Sequence, residues 1–105
     1  MAYDEVLAER LRERLPAAAR RRLFGGPAVL ARGNVTAGVN RDDLLVRLSP
    51  EDAAAALERP GVRPFDVTGR PMRGWVLVAG EHLDDADLDQ WVATASAFVA
   101  TLPPQ

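Results

Sequence analysis

The sequence predicts an α+β fold, a two-layer sandwich in which helices pack on an antiparallel sheet of about five strands in the order α-βββ-α-ββ-α. Two observations support it. Three β-like runs follow one another with turn residues between them, which favours antiparallel neighbours. Amphipathic runs at helical spacing lie near both ends of the chain, and a capped helix start lies between the strands. Because strands and helices do not alternate one for one, a doubly wound parallel sheet is not expected.

The first helix is predicted over residues 4–15, with Asp4 as its cap. Its apolar face is expected to consist of the side chains Val6, Leu7, Leu11 and Leu15. Pro16 should end the helix or force a new start. Residues 17–21 are then expected to form a further helical turn.

Three strands are predicted in the next part of the chain, over residues 28–32, 35–39 and 44–48. Leu23-Phe24 is expected to open a strand that Gly25-Gly26-Pro27 breaks. Gly33-Asn34 and the polar segment 40–43 are turn signals between the three strands. The short turns predict a meander of antiparallel strands.

The second helix is predicted over 50–57, with Ser49 as its cap and a proline at its first position. The proline-interrupted segment 62–67 is expected to be an edge strand. A turn is expected over 69–74, followed by a strand over 75–79.

The last helix is predicted to begin at a cap, Asp84 or Asp85, with further acids in its first turn. Its apolar stripe is expected to contain Leu88, Trp91, Val92, Ala95, Phe98, Val99 and Leu102. The elements fill a single domain over residues 1–105.

The charge is distributed unevenly along the chain. All 13 basic residues are arginines, and they lie between Arg10 and Arg73, whereas Val76 and the residues after it include five acids and no base. The N-terminus is acidic and lacks the apolar run of a signal peptide. No segment is apolar enough to span a membrane. We therefore expect a cytoplasmic protein.

Residues for catalysis or metal binding are scarce. The chain has no cysteine and one histidine, His82, so a nucleophile–base pair and a soft-metal site are not expected. Gly25-Gly26 lacks the lysine of a phosphate-binding loop, because the chain has no lysine. The acids at residues 84–89 are interpreted as helix caps rather than a calcium loop. We expect no enzymatic activity, no cofactor and no metal.

A run of three arginines, residues 20–22, together with Arg70 and Arg73, leaves a nucleic-acid surface open as an alternative. The net charge of −2 and the aromatic content of 6% argue against it. Solvated arginines that pair with nearby acids are the simpler interpretation.

Two glycine-containing stretches resemble a known family when they are taken together. Arg22-Leu23-Phe24-Gly25-Gly26 is similar to the R-[ML]-F-G-G signature of the TfoX N-terminal domain-like proteins. The stretch 68–76, which begins Thr-Gly-Arg-Pro-Met-Arg-Gly-Trp, resembles the most distinctive part of that family, and the acidic start of the last helix also matches.

The resemblance implies a bacterial cytoplasmic α/β domain with an antiparallel sheet, and no established activity. We therefore expect a non-enzymatic regulatory or protein-interaction module, with homodimer formation left open. The alternatives are a nucleic-acid-associated regulator of transcription or competence and a small-ligand-binding domain. The candidate surface consists of Arg21, Arg22, Phe24, Gly25, Gly26, Arg70, Met72, Arg73 and Trp75.

Overall fold

Three helices and six strands are present in the computed structural model, which describes residues 3–23, 25–66, 69 and 71–105. The helices are α1 (Glu5–Arg14), α2 (Pro50–Ala56) and α3 (Asp85–Val99). The strands are β1 (Ala19–Leu23), β2 (Gly26–Ala31), β3 (Asn34–Asn40), β4 (Asp43–Arg47), β5 (Val62–Asp66) and β6 (Pro71–Val78). A single 3₁₀ turn, Gly80–His82, precedes α3.

The strands form one sheet in the order β1-β2-β3-β4-β6-β5, and every neighbouring pair is antiparallel. The first four strands form a meander. Strands β2, β3 and β4 correspond to the three predicted strands, and β1 adds a fourth before them. Helix α2 connects β4 to β5, which lies at the far edge beyond β6. The expected α+β class and the edge position of the proline-containing strand are confirmed.

The main core lies between the helices and one face of the sheet. The helices contribute Leu7, Ala8, Leu11, Ala53, Ala56, Leu88, Trp91, Val92 and Ala95. The sheet contributes Val29, Ala37, Val39, Leu44, Val46, Val76 and Val78. Alternate residues of a strand point to opposite faces. Accordingly Leu45 and Leu77 belong to a second, smaller cluster on the other face, together with Phe65.

The three helix caps follow the sequence signals. The Asp4 carboxylate accepts hydrogen bonds from the backbone of α1, the Ser49 hydroxyl accepts from Asp52 at 3.1 Å, and the Asp84 carboxylate accepts from Asp87 at 2.8 Å. Each cap satisfies backbone N–H groups that a helix leaves unpaired at its start. Of the two residues proposed for the last cap, Asp84 is therefore the one used.

The apolar face predicted for α1 is wrong at one position. Val6 is 70% exposed, whereas Ala8 is 3% exposed and takes a place in the core. The face is set by Leu7, Ala8 and Leu11, so the helix is rotated relative to the predicted face. Spacing alone does not distinguish these two rotations, because Val6 and Ala8 flank the same leucine.

The helical turn expected over 17–21 is also wrong, because these residues lead into strand β1. All five residues of β1 pair with β2, from Ala19 opposite Leu30 to Leu23 opposite Gly26. Alanine and arginine favour helix locally, but pairing with the neighbouring strand decides the conformation. The sheet consequently has six strands rather than about five.

Strand β6 begins earlier than predicted. Pro71 already lies opposite Asp66 in the sheet, so most of the turn expected over 69–74 is strand. Gly74 keeps a φ of 87° within the strand, and its carbonyl accepts a hydrogen bond from the backbone of Leu48 at 2.7 Å. The glycine therefore marks an irregularity inside β6 rather than a connecting turn.

Candidate functional site

The acidic C-terminal part of the chain is engaged by arginines of α1. Arg10 and Arg14 each lie 3.1 Å from a carboxylate oxygen of Asp85, and Arg14 also contacts Asp89 at 2.5 Å. Arg10 donates a further hydrogen bond to the carbonyl of Leu83 at 2.7 Å. The uneven charge of the sequence is thus partly cancelled inside the fold, where it joins α1 to α3.

These contacts shift two pKa values. Hydrogen bonds from Arg10 and then Arg14 lower the pKa of the exposed Asp85 carboxyl. Burial acts to lower the pKa of Arg14, but its hydrogen bond to Asp89 and the charges of both carboxylates outweigh burial and raise it. Both groups are charged over the whole neutral range, so this network serves as an ionic link rather than an acid–base pair.

The arginines of β1 differ from those of α1. Arg20, Arg21 and Arg22 are all exposed, and no carboxylate in the described part of the chain forms an ion pair with them. Arg20 lies opposite Val29, a residue of the main core, so alternate arginines face the helix side of the sheet. Arg21 faces the other side. β1 therefore presents guanidinium groups on both faces of a sheet edge.

An open depression of about 220 Å³ adjoins these arginines. The surface around it, which we call the β1 basic surface, consists of Tyr3, Arg12, Arg20, Arg21, Arg22 and Pro27. The Arg22 guanidinium lies 5.7 Å from the centre of the Tyr3 ring, within the range of a cation–π contact. Arg12 is held by an ion pair with Glu9 on the same helix. The arrangement suits an anionic group, since Arg20 and Arg22 face the side of the sheet on which Tyr3 and Arg12 line the depression, and neither forms an ion pair among the described residues.

The fold explains why glycine occupies both positions of the first stretch, Gly25 and Gly26. Gly25 has a φ of 81° and nothing within 4 Å of a Cβ placed on it, so it supplies the backbone conformation of the β1–β2 turn. A Cβ on Gly26 would lie 2.0 Å from the carbonyl oxygen of Val39. Gly26 is therefore required where β2 passes close to β3.

The second stretch contributes to the smaller core cluster. Met72 and Trp75 are half-buried and pack against it. The centre of the Trp75 ring lies 6.4 Å from the centre of the Phe65 ring. The Arg47 guanidinium lies 5.2 Å from the centre of the Trp75 ring. Arg73 is exposed. A packing role accounts for Met72 and Trp75.

Strand order places the two stretches in different parts of the sheet. The first occupies β1 and the start of β2, the second occupies β6, and β3 and β4 lie between them. The structure thus groups Arg21 and Arg22 with Gly25 and Gly26 on one hairpin, and Met72, Arg73 and Trp75 on another. The remaining two members of the predicted surface, Phe24 and Arg70, lie outside the described residues.

Sequence reasoning did not include Tyr3 and Arg12 in the candidate surface. Both line the same depression as the arginines of β1, although they lie at a distance from β1 in the sequence. The exposure of Arg20 could have been predicted from the sequence, since Arg20 belongs to the same run as Arg21 and Arg22. Tyr3 lies just before α1, and nothing in the sequence around it indicates its contact with Arg22 of β1.

Other polar groups do not assemble into a reactive arrangement within the described residues. His82 is exposed, and its ring packs against Gly61, where an added Cβ would meet it at 2.2 Å. The Ser49 hydroxyl is used as a helix cap, and the Ser96 hydroxyl is buried without a hydrogen-bond partner. In the same described part of the chain, no three acidic or imidazole side chains are close enough together to hold a metal ion.

Comparison with known proteins identifies a family. Residues 9–99 match the TfoX N-terminal domain, so the match covers most of the chain and includes both glycine-containing stretches. No curated protein and no solved structure matches the chain. None of the helices in the described residues has the length and apolar character that crossing a membrane requires.

Proposed function

The chain belongs to the TfoX N-terminal domain family, and we propose that it is a non-enzymatic regulatory module that acts in the bacterial cytoplasm by binding a protein partner. The observation that supports the proposal is the β1 basic surface. Its arginines Arg20, Arg21 and Arg22 are exposed without an ion pair among the described residues. Guanidinium groups without an ion pair on a strand of the sheet favour a partner with an acidic surface.

Electrostatics favours binding at β1 over the arginines that already have an acidic partner. Arg10 and Arg14 already hold Asp85, and Arg63 holds Asp43, so their charges are largely compensated. The charges of β1 are not compensated in this way. A partner's carboxylates would therefore be attracted more strongly to the three adjacent arginines of β1 than to these paired ones, which favours both the rate of encounter and the alignment of the partner.

Charged residues on an edge strand have a second known use, which is to prevent unwanted pairing between sheet edges. The two uses differ in what a mutation does. If the arginines only prevent pairing, their replacement causes aggregation and leaves partner binding intact. If they bind a partner, charge reversal removes that binding while the protein stays monodisperse.

The experiment is affinity capture from the native host with the full chain and two variants, read by mass spectrometry. Arg21→Glu/Arg22→Glu should lose a partner that the unmodified chain retains. Arg73→Glu is the matched control, because Arg73 is an exposed arginine on β6, with β3 and β4 between it and the β1–β2 hairpin. Retention of the partner by the double variant would refute the assignment of the surface. Sedimentation of the same samples tests whether the chain forms the homodimer left open by the sequence.

Nucleic-acid binding is a second candidate function for the same surface, because guanidinium groups also pair with phosphate. It predicts anisotropy changes with labelled DNA or RNA that weaken steeply as salt rises. We expect no such binding at about 0.15 M salt, because the chain carries a net charge of −2. Salt-dependent binding that Arg21→Glu/Arg22→Glu abolishes would favour this candidate instead.

A further inference from the structure

The two edges of the sheet differ in their capacity to take up another strand. The β5 edge contains the exposed Pro64, which has no N–H to donate, and its pairing with β6 shifts register next to that proline. Strand β1 contains no proline and pairs with β2 without a shift over its whole length. No described strand lies beyond β1. The β1 edge is therefore the one suited to further pairing.

The register indicates which backbone groups point outward. Leu23 and Gly26 are paired across a connection of two residues, and the residues that flank such a turn form the first hydrogen-bonded pair of a hairpin. Hydrogen-bonded and non-hydrogen-bonded pairs alternate along antiparallel strands. Arg20 and Arg22 then fall at the non-hydrogen-bonded positions. Their N–H and C=O groups point away from β2, toward solvent.

The side chains on this edge match an extended segment with acidic residues. An added strand presents successive side chains to opposite faces of the sheet. Acids on one face would meet Arg20 and Arg22, and acids on the other would meet Arg21. The depression beside Tyr3 and Arg12 leaves room on the helix side of the edge.

A second copy of β1 is a poor occupant of the same edge. An antiparallel pair centred on Arg21 would place Arg20 of one copy opposite Arg22 of the other and Arg21 opposite itself. Like charges directly opposite each other destabilise a sheet. Charge complementarity therefore selects an acidic segment from a different protein.

We infer that the outward edge of β1 takes up an extended acidic segment of the partner as an added strand, an inference that rests on the proposed function. Affinity comes from backbone hydrogen bonds at Arg20 and Arg22, and selectivity comes from the guanidinium groups on the two faces. The inference specifies the binding mode and the chemistry of the partner. The proposed function requires only that a partner binds at the basic surface.

The probe is a labelled peptide of about eight residues that alternates glutamate with threonine, within ordinary strand length. Two derivatives carry backbone N-methyl groups on the odd or on the even residues. An added strand uses the N–H groups of one edge only, so one derivative should bind like the parent and the other should lose about tenfold or more in affinity, about 1.4 kcal/mol or more. Equal binding by both derivatives, or binding by a lysine version of the peptide, would overturn the inference.

A pair of variants of the full chain tests the same point from the other side. Arg22→Ala removes the guanidinium and keeps the outward N–H, whereas Arg22→Pro removes both, at a position where an edge strand tolerates proline. Arg22→Pro should bind the peptide about tenfold more weakly than Arg22→Ala. Equal affinities of the two folded variants would contradict the inference. If Arg22→Pro does not fold, the N-methylated peptides decide alone.

Amide chemical shifts of the full chain separate failure of this inference from failure of the proposed function. The peptide should perturb the amides of Arg20 and Arg22 most strongly. If the partner captured from the host needs Arg21 and Arg22 but the peptide perturbs only other amides, the proposed function stands and strand addition is wrong. Tighter binding of an oligonucleotide than of the peptide at this edge would also count against the inference.

Discussion

Gly26→Ala should destabilise the fold more than Gly25→Ala, although Gly25 alone of the two has a left-handed backbone. A Cβ on Gly26 would lie 2.0 Å from the carbonyl oxygen and 3.2 Å from the carbonyl carbon of Val39. Both atoms belong to the backbone of β3, so no side-chain rotation relieves the clash. β2 must separate from β3 near the start of their pairing. A Cβ on Gly25 meets nothing within 4 Å.

The magnitudes follow from these two geometries. Gly25→Ala leaves an alanine in the left-handed region, which costs about 1–2 kcal/mol. Gly26→Ala forces strands apart, and we expect about 3 kcal/mol or more, at or above the upper end of ordinary overpacking. For a domain of this size, that loss lowers the midpoint of thermal unfolding by roughly 12 °C or more.

Urea unfolding followed by tryptophan fluorescence measures both variants under the same conditions. The midpoint of Gly26→Ala should fall well below that of Gly25→Ala, with similar dependence on urea concentration. A Gly25→Ala variant that is as unstable as Gly26→Ala, or less stable, would refute the reasoning, because backbone dihedral strain would then outweigh the close approach of two strands.

Three further substitutions test other parts of the fold. Trp91→Ala should lower the free energy of unfolding by about 3–5 kcal/mol, because the ring is buried in the main core. Trp75→Ala should lower it by less, about 2 kcal/mol in the same assay, because Trp75 is half-buried. Equal losses would contradict the difference in burial. Ser49→Ala should cost about 1 kcal/mol by loss of the α2 cap, and a neutral result in urea unfolding would show that the cap is not used. Asp85→Asn should lower the thermal midpoint near pH 7. The difference should persist above the ordinary carboxyl pKa of about 4 and vanish as pH falls through the lowered pKa of Asp85; a difference that instead grows in acid would refute the ionic link.

Local signals in the sequence predicted most of the fold. The caps Asp4 and Ser49 act over a few residues, and the structure uses both. The turn expected at Gly33-Asn34 forms one residue earlier, at Arg32-Gly33, and Asn34 is already the first residue of β3. The helical turn predicted over 17–21 is wrong because the conformation there depends on a strand that is not local in the sequence. Residues 19–21 become part of β1 only because β2 is available to pair with them, and local propensity contains no information about that neighbour.

The candidate site could be predicted only in part, for a related physical reason. The arginine run was visible in the sequence, but its contrast with Arg10 and Arg14 was not. Arg10 and Arg14 find their carboxylates more than 70 residues away along the chain, and only the packing of α1 against α3 brings them together. Gly26 shows the same limit of prediction from the sequence. Glycine is required there because the backbone of β3 lies too close for a Cβ atom.

Hydrogen–deuterium exchange of the full chain, with and without its purified partner, is the most direct test of the claim that β1 is the binding edge. The account predicts slowed exchange at the outward amides of Arg20 and Arg22, with little change in the α2 and α3 helices. Slowed exchange confined to those helices, with the amides of β1 unchanged, would contradict it.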